Sequence, residues 1–483
     1  MGLLGILLAL GLLIWLAYRA WSVLLVAPLA ALLAAAMSGE PLLAHWTQTF
    51  MGSASRFVAQ WFPLFLLGAL FGKLMDDSGS ITSIARYLTE RLGTRRAMLS
   101  VVLASAVVTY GGVSVFVAFF VLVPMAQEFF RAADIPRRLM PAAIGLGGMT
   151  FTMTALPGSP ALQNAIPMPF FGTTPFAAPG LGITASIIIL GFGMWWLNRA
   201  ETAARKVGEG YGGAMPREGV PPSDEALREH ATGVREFDPA ELGHGKRSDS
   251  EPPFALAALP LGVVIAVNFL MSLVILPRLD FSFLAEEVWG GTTFGAVAGI
   301  WSVAVALAAA TLAVIIINFR RLPALRESID AGANASVLPV LSVGSLVGFG
   351  SVVAAMPAFA TVRDAVLSIQ GGPLVSLAVA MNVLAGLTGS ASGGMVIALD
   401  ALGSTYLQLA LEHGIDPALM HRVAAIGSGA LDSLPHNGAV LTLLSVSGLS
   451  HRESYLDIVM TVIVSVIIAL VAVIVLGSVF GSF

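Results

Sequence analysis

Long apolar stretches separated by short polar ones recur along nearly the whole chain. In the first part they lie near 3–18, 22–37, 57–75, 97–127, 141–165 and 180–198. In the second they lie near 254–276, 290–318, 333–361, 373–410, 422–445 and 456–479. A helix crossing a bilayer needs roughly 20 mainly apolar residues, so these runs predict membrane-spanning helices. The first lacks a basic leader and a clear cleavage site and reads as a mature helix, not a signal peptide. Between 199 and 253 the pattern stops. "GYGGAMPREGVPPSDEALREHATG" has no apolar period and reads as a solvated linker. The chain thus divides into a first transmembrane repeat (1–198), a cytoplasmic hydrophilic linker (199–253) and a second transmembrane repeat (254–483).

Two runs are too long for one crossing. Run 97–127 is broken by Tyr110-Gly111-Gly112, and run 373–410 by "TGSASGG" at Thr388–Gly394. Basic residues flank 97–127 on both sides: Lys73, Arg86, Arg91, Arg95 and Arg96 before it, Arg131, Arg137 and Arg138 after it. Cytoplasmic loops are the positive ones, so both ends lie in the cytoplasm and the run is a helical hairpin with a glycine-rich tip. Treating 373–410 likewise gives ten spans, two hairpins and both termini outside. All but four of the 25 Lys and Arg residues (Arg56, Arg278, Arg363 and Arg422) then fall in the cytoplasm. A reading of each long run as two spans stays open. Only Lys73, at a span end, puts a basic residue near the interior, so no intramembrane arginine is expected. Stretch 76–96 has Ile81, Ile84, Tyr87, Leu88 and Leu92 at helical spacing between charges, which predicts an amphipathic surface helix.

Composition narrows the class. Of 483 residues, 57% are hydrophobic and 11% charged, against about a quarter charged in soluble proteins. A cytosolic enzyme, a secreted domain and a disordered chain are excluded. A net charge of -4 offers nucleic acid no basic partner surface. The absence of cysteine excludes disulfides and thiolate metal sites. The fold class is an all-α polytopic membrane protein embedded in lipid, with no cofactor or metal expected.

The two halves share a layout of three spans, a hairpin, an interrupted span and a final span. Each crosses an odd number of times, which predicts two repeats of inverted topology, each of about five spans plus a hairpin and an interrupted helix. "ADIPRRLMPAAIG" (Ala133–Gly145) echoes "HGIDPALMHRVAAIG" (His413–Gly427), and each follows a hairpin. "TALPGSPALQN" (Thr154–Asn164) and "DSLPHNGAV" (Asp432–Val440) then break apolar runs at matching places. Small residues such as Gly147 and Gly429 read as helix-packing positions. The Pro-Gly breaks need another explanation, because free backbone groups survive at membrane depth only against protein or a watery cavity. Paired breaks in inverted halves point to a transporter's central site.

Helix N-termini at such breaks favour an anion. The candidate substrate-binding residues are Thr109, Gly111, Gly112 and Ser114 at the first tip, and Pro157, Gly158, Ser159 and Asn164 at the first break. Ser390, Ser392 and Gly393 at the second tip and Asn437 at the second break complete the set. For each hydroxyl, bonding to its own helix is the competing role. Ionisable residues inside a membrane are costly and usually functional, which singles out Asp400, Asp432 and His436 for proton coupling. An imidazole near a carboxylate titrates close to physiological pH.

"TALPGSPALQNAIP", "SGALDSLPHNGAV" and "GLSHRESYLDI" (Gly448–Ile458) resemble the gluconate:proton symporter (GntP) family, and most closely its hydroxybutyrate-permease-like branch. The resemblance covers nearly the whole chain, and its second-half motif is the most specific part. It implies a bacterial inner-membrane secondary transporter that moves a small monocarboxylate with protons. It also implies membership of the ion transporter superfamily, with a homodimeric scaffold and elevator-like movement. Pro157-Gly158-Ser159-Pro160 departs from the more polar His-Pro-rich segment of sugar-acid members. Together with the apolar "AIPMPFFGTTPF" that follows, this favours a less hydroxylated acid than gluconate. Sodium in place of protons is an alternative, since unwound carbonyls at Thr388–Gly394 could ligate it. A remote alternative is an intramembrane serine hydrolase using Ser428 or Ser392 with His436. The chain has no nucleophile-elbow motif for it.

Overall fold

The apolar runs fold into helices throughout the computed structural model, which describes residues 2–18, 21–93, 96–212, 245–435 and 437–483. No strand occurs among the described residues. The first half contains α1 (Gly2–Tyr18), α2 (Val23–Ser38), α3 (Leu42–Asp77) and α4 (Ser80–Leu92). The pair α5 (Ala97–Tyr110) and α6 (Val115–Ala132) follows. Run 141–165 breaks into α7 (Met140–Gly148), α8 (Phe151–Thr154) and α9 (Leu162–Ala165), with α10 (Met168–Phe171) and α11 (Pro179–Lys206) after it.

The second half is helical as well. It contains α12 (Phe254–Leu270), α13 (Phe294–Asn318), α14 (Leu325–Ala335), α15 (Val337–Ala355) and α16 (Phe359–Leu367). The pair α17 (Gly372–Thr388) and α18 (Ala391–Glu412) comes next. The broken run follows as α19 (Pro417–Ser428) and α20 (Gly438–Ser447), and α21 (His451–Phe480) closes the chain. Among the described residues, eight helical stretches are long and apolar enough to cross a membrane. Helix α5 is shorter, 14 residues, and its turn into α6 is partly buried.

The halves interlock. Helices α3 and α15 pack on each other; α13 with α12 flanks α3, and α2 with α1 flanks α15. Around this pair sit the hairpins and broken helices, with α5 on α7 in one half and α17 on α19 in the other. The last helices of each half, α11 and α21, also meet. Amphipathic α4 buries Ile81, Ile84 and Ala85 against the first hairpin, while Tyr87 stacks on Phe254 at 3.9 Å.

Helical or packed structure extends into both ends of stretch 199–253. Helix α11 continues to Lys206, beyond the expected boundary at 198, because "AETAARK" consists mainly of strong helix formers and Glu201 pairs with Arg205 one turn on. At the other end the chain from Gly245 packs onto the end of α3 and the start of α4. Arg247 bonds Asp76 at 2.6 Å, Arg86 bonds Glu251 at 2.8 Å, and Ser248 N–H donates to the Asp77 carbonyl.

Close helix contact rests on small residues. A Cβ on Gly147 would lie 2.1 Å from the Val102 carbonyl oxygen on α5, an atom fixed in its helix. Gly147→Ala is therefore expected to destabilise the protein by about 1–3 kcal/mol through overpacking. Thermal unfolding of the detergent-purified protein measures this, with Gly191→Ala, whose Cβ would meet nothing within 4 Å, as the variant that leaves Tm unchanged or raised.

Candidate functional site

Both hairpin turns and both helix breaks open on a single cavity of about 220 Å³. The first turn contributes Thr109, Gly112 and Ser114, and the second contributes Ala391 and Ser392. The first break supplies Thr154 and Pro160–Gln163; the second supplies Gly429, Asp432 and Asn437. Gly68, Gly72 and Lys73 of α3 close one side, with Ala335 and Ser336 of the α14–α15 junction beside them. Apolar Phe65, Phe116, Met149 and Met153 line much of the remainder.

Of the residues anticipated for substrate, Thr109, Gly112, Ser114, Ser392 and Asn437 line the cavity. The Thr109 hydroxyl also donates to the Ser105 carbonyl at 2.9 Å, the self-bonding role that competes for any helical threonine. Asn437 spans two elements. Its amide donates to the Gly389 carbonyl at the second hairpin turn, 2.8 Å away, and its side-chain oxygen caps α20 through Val440 N–H at 3.0 Å. The Ser390 hydroxyl behind the turn caps α18 by accepting from Gly393 N–H at 3.1 Å.

The other anticipated residues shape the walls. Gly111 packs on Leu261, and Gly393 approaches Leu346. The Pro157 carbonyl accepts from the Tyr110 hydroxyl at 2.7 Å, and the Gly158 carbonyl accepts from Asn268 at 3.0 Å. Ser159 is fully buried, and its carbonyl accepts from Asn164 at 2.9 Å. Asp432 lies in a 3₁₀ turn on the cavity, where its carboxylate accepts from the Ser433 hydroxyl. Asp400 is exposed on α18 and away from the cavity. His436 lies outside the described residues.

Arg422 is a buried arginine that the hydropathy pattern does not flag. It is 0% exposed in α19. Its guanidinium donates to the Ala177 carbonyl at 2.6 Å, to the Thr154 carbonyl at 3.1 Å and to Asn164 Oδ1 at 3.1 Å. The physical reason is the first break: carbonyls freed at Thr154 and Ala177 need donors that lipid does not provide. A planar fork of five N–H groups serves several at once. Next to it, the His421 ring lies 2.6 Å from the Thr173 hydroxyl and 3.3 Å from Asn164 Oδ1. Only the buried neighbourhood reveals this, since a lone Arg at the start of an apolar run reads as a loop charge.

The second break is held the same way. The His451 ring bonds the Pro435 carbonyl at 2.8 Å, so its Nε2 carries the proton, and the Tyr455 hydroxyl donates to the Ser433 carbonyl at 3.2 Å. The two breaks touch at Gly429, where a Cβ would lie 2.7 Å from Thr154 Cγ2.

The GntP family permease domain matches residues 1–170. The uncharacterized transporter YxjC of Bacillus subtilis is 42% identical over 465 residues, 95% of each chain. The chain belongs to the GntP permease family. The high-affinity gluconate transporter of Escherichia coli is 36% identical over 104 residues, 21% of the permease and 23% of that protein. Two solved transporters share the fold at low identity. MtrF of Neisseria gonorrhoeae superposes with a TM-score of 0.53 at 14% identity, covering 91% of the permease and 85% of MtrF. YdaH of Alcanivorax borkumensis gives 0.53 at 16%, covering 91% and 88%.

The permease is thus a multi-pass membrane transporter, and the hydrolase alternative falls. Ser428, its candidate nucleophile, is buried with its hydroxyl donating to the Ala425 carbonyl at 2.9 Å. The motif at Gly448–Ile458 has a structural task, since His451 and Tyr455 hold the carbonyls of the second break.

Removing the Arg422 fork leaves two buried carbonyls without their donor, each worth about 1–3 kcal/mol. Arg422→Met is expected to lower Tm sharply or prevent recovery of monodisperse protein in detergent, whereas Arg363→Met, at a half-exposed side chain, leaves both unchanged. Size-exclusion chromatography and thermal unfolding check it.

Proposed function

We propose that the permease is a proton-coupled symporter of a small, weakly hydroxylated monocarboxylate, working by alternating access between two inverted repeats with re-entrant hairpins. The observation that carries this reading is the meeting of four helix interruptions, two per half, around one cavity that contains a carboxylate, Asp432. Such paired interruptions build substrate sites in secondary transporters. The cavity of about 220 Å³ is below the usual 300–1,000 Å³ of small-molecule sites, which suits a short acid. Its phenylalanine and methionine lining suits a substrate with few hydroxyls. The named gluconate transporter among the relatives supports an organic anion as cargo.

Asp432 is the coupling carboxylate in this reading, with His436 four residues on as its partner. Asp400, exposed and remote from the cavity, has the weaker claim. Uptake of 3-hydroxybutyrate, lactate, gluconate and citrate into proteoliposomes, under separate proton and sodium gradients, tests the proposal. A short monocarboxylate driven by the proton gradient is the expected result; uptake driven only by sodium overturns the coupling. Asp432→Asn is expected to abolish pH-driven accumulation while retaining part of the substrate exchange. Full symport by that variant removes Asp432 from the role.

A further inference from the structure

We propose that Lys73 recognises the substrate's carboxylate, exchanging its ion pair with Asp77 for one with the incoming acid. This rests on the reading of the cavity as the site of a small organic anion, and it adds the residue that reads the charge.

Lys73 lies one turn before the end of α3, with its side chain 8% exposed and Nζ 3.1 Å from Asp77 Oδ1. Among the described residues lining the cavity, Lys73 and Asp432 are the two that carry charge. Lys73 therefore supplies the cavity's positive charge. Burying an ammonium ion is costly unless something compensates it, and Asp77 supplies a counter-charge here. Asp77 Oδ2 and the neighbouring Ser328 hydroxyl are buried and have no hydrogen-bond partner among the described residues. Both face the α-carbon of Gly245, where a Cβ would stand 2.7 Å from Asp77 Oδ2 and 3.1 Å from Ser328 Oγ. Asp77 thus engages Lys73 through one oxygen only. The adjacent Asp76 is bonded to Arg247.

An ammonium on a four-carbon stem has three donors and can turn between acceptors. A carboxylate in the cavity offers it two oxygens where Asp77 uses one. A second feature lies on the same side. The backbone nitrogen of Ser114, where α6 begins, is 3.7 Å from the position of a Cβ on Gly72, the residue before Lys73. No side chain caps this 18-residue helix, whereas Ser390 caps α18 and Asn437 caps α20. Its start favours an anion through N–H groups and the helix dipole. Gly72, Lys73, Ser114 and Val115 all line the cavity. The helix start and the ammonium consequently address one space. With Asp432 on the same cavity and no second cation among its described lining residues, a further carboxylate on the substrate is disfavoured, which argues against citrate.

The test uses full-length protein in proteoliposomes, with counterflow of 3-hydroxybutyrate, lactate and gluconate as probes, so that no ion gradient is needed. Lys73→Gln is expected to raise KM for the transported acid by about tenfold or more, the worth of a charged hydrogen bond. Lys73→Arg recovers part of the loss. Asp77→Asn is expected to lower KM, because it removes the competitor for the ammonium. A merely structural ion pair would not give opposite signs at its two ends. The double variant Lys73→Gln with Asp77→Asn keeps a neutral, hydrogen-bonded pair of similar shape and carries the test if either single variant is lost in folding; it is expected to match the raised KM. Asp77→Asn raising KM like Lys73→Gln, or a double variant with wild-type KM, overturns the proposal. If wild-type protein moves none of the three acids, the anion reading falls and this proposal with it. If wild type transports and the variants match it, this proposal alone falls.

Discussion

A backbone carbonyl that leaves its helix inside an apolar slab must find a donor from the protein itself, and the architecture around the two breaks is organised by that demand. At the first break Arg422 serves Thr154 and Ala177, Tyr110 serves Pro157, Asn268 serves Gly158 and Asn164 serves Ser159. At the second, Tyr455 serves Ser433 and His451 serves Pro435. The two Leu-Pro breaks thus share a solution, since each proline carbonyl accepts from a ring group brought in by another helix. At the first break Arg422 and Asn268 come from distant parts of the chain, so completing that break requires both halves to be in place.

The same bonds tie the halves together. Arg422 and Asn268 belong to the second half and serve carbonyls of the first. A further link lies at the ends of the broken runs, where Arg138 bonds Glu209 at 2.8 Å and Asp457 at 2.5 Å, and Trp196 donates to the other Asp457 oxygen. Burial works against the Arg138 charge, yet its bonds to these two carboxylates hold its pKa above the ordinary arginine value. Arg137 beside it donates to the Ser447 carbonyl at the end of α20. Charges that are scarce in the chain are therefore concentrated at joints between elements, where an uncompensated partner would be most costly.

Much of this was legible from residue pattern. The apolar runs located the helices, and the Gly-rich and Leu-Pro interruptions located all four segments that open on the cavity. Asn437 and Ser392 were recognisable because polar residues at a helix break are few and must bond something. The role of Arg422 was not legible for a physical reason: positive charge is scored by distance from the end of an apolar run, whereas burial depends on which carbonyls lie nearby. Lys73 was visible as a lysine at a span end. Its place on the cavity wall depends on α3 leaning against the first hairpin turn, a contact between residues 72 and 114 that no periodicity encodes.

Hydropathy, length and the positions of Pro and Gly by themselves determined that this chain is a polytopic helical protein whose apolar runs are interrupted by two turns and two breaks. These properties are local, set by transfer free energy and by backbone geometry over a few residues. Which polar groups face the cavity and which repair the broken backbone was decided only by tertiary structure. A hydroxyl, amide or guanidinium beside an interruption can serve either purpose, and the choice follows from whether an unpaired carbonyl or open space lies within hydrogen-bond reach.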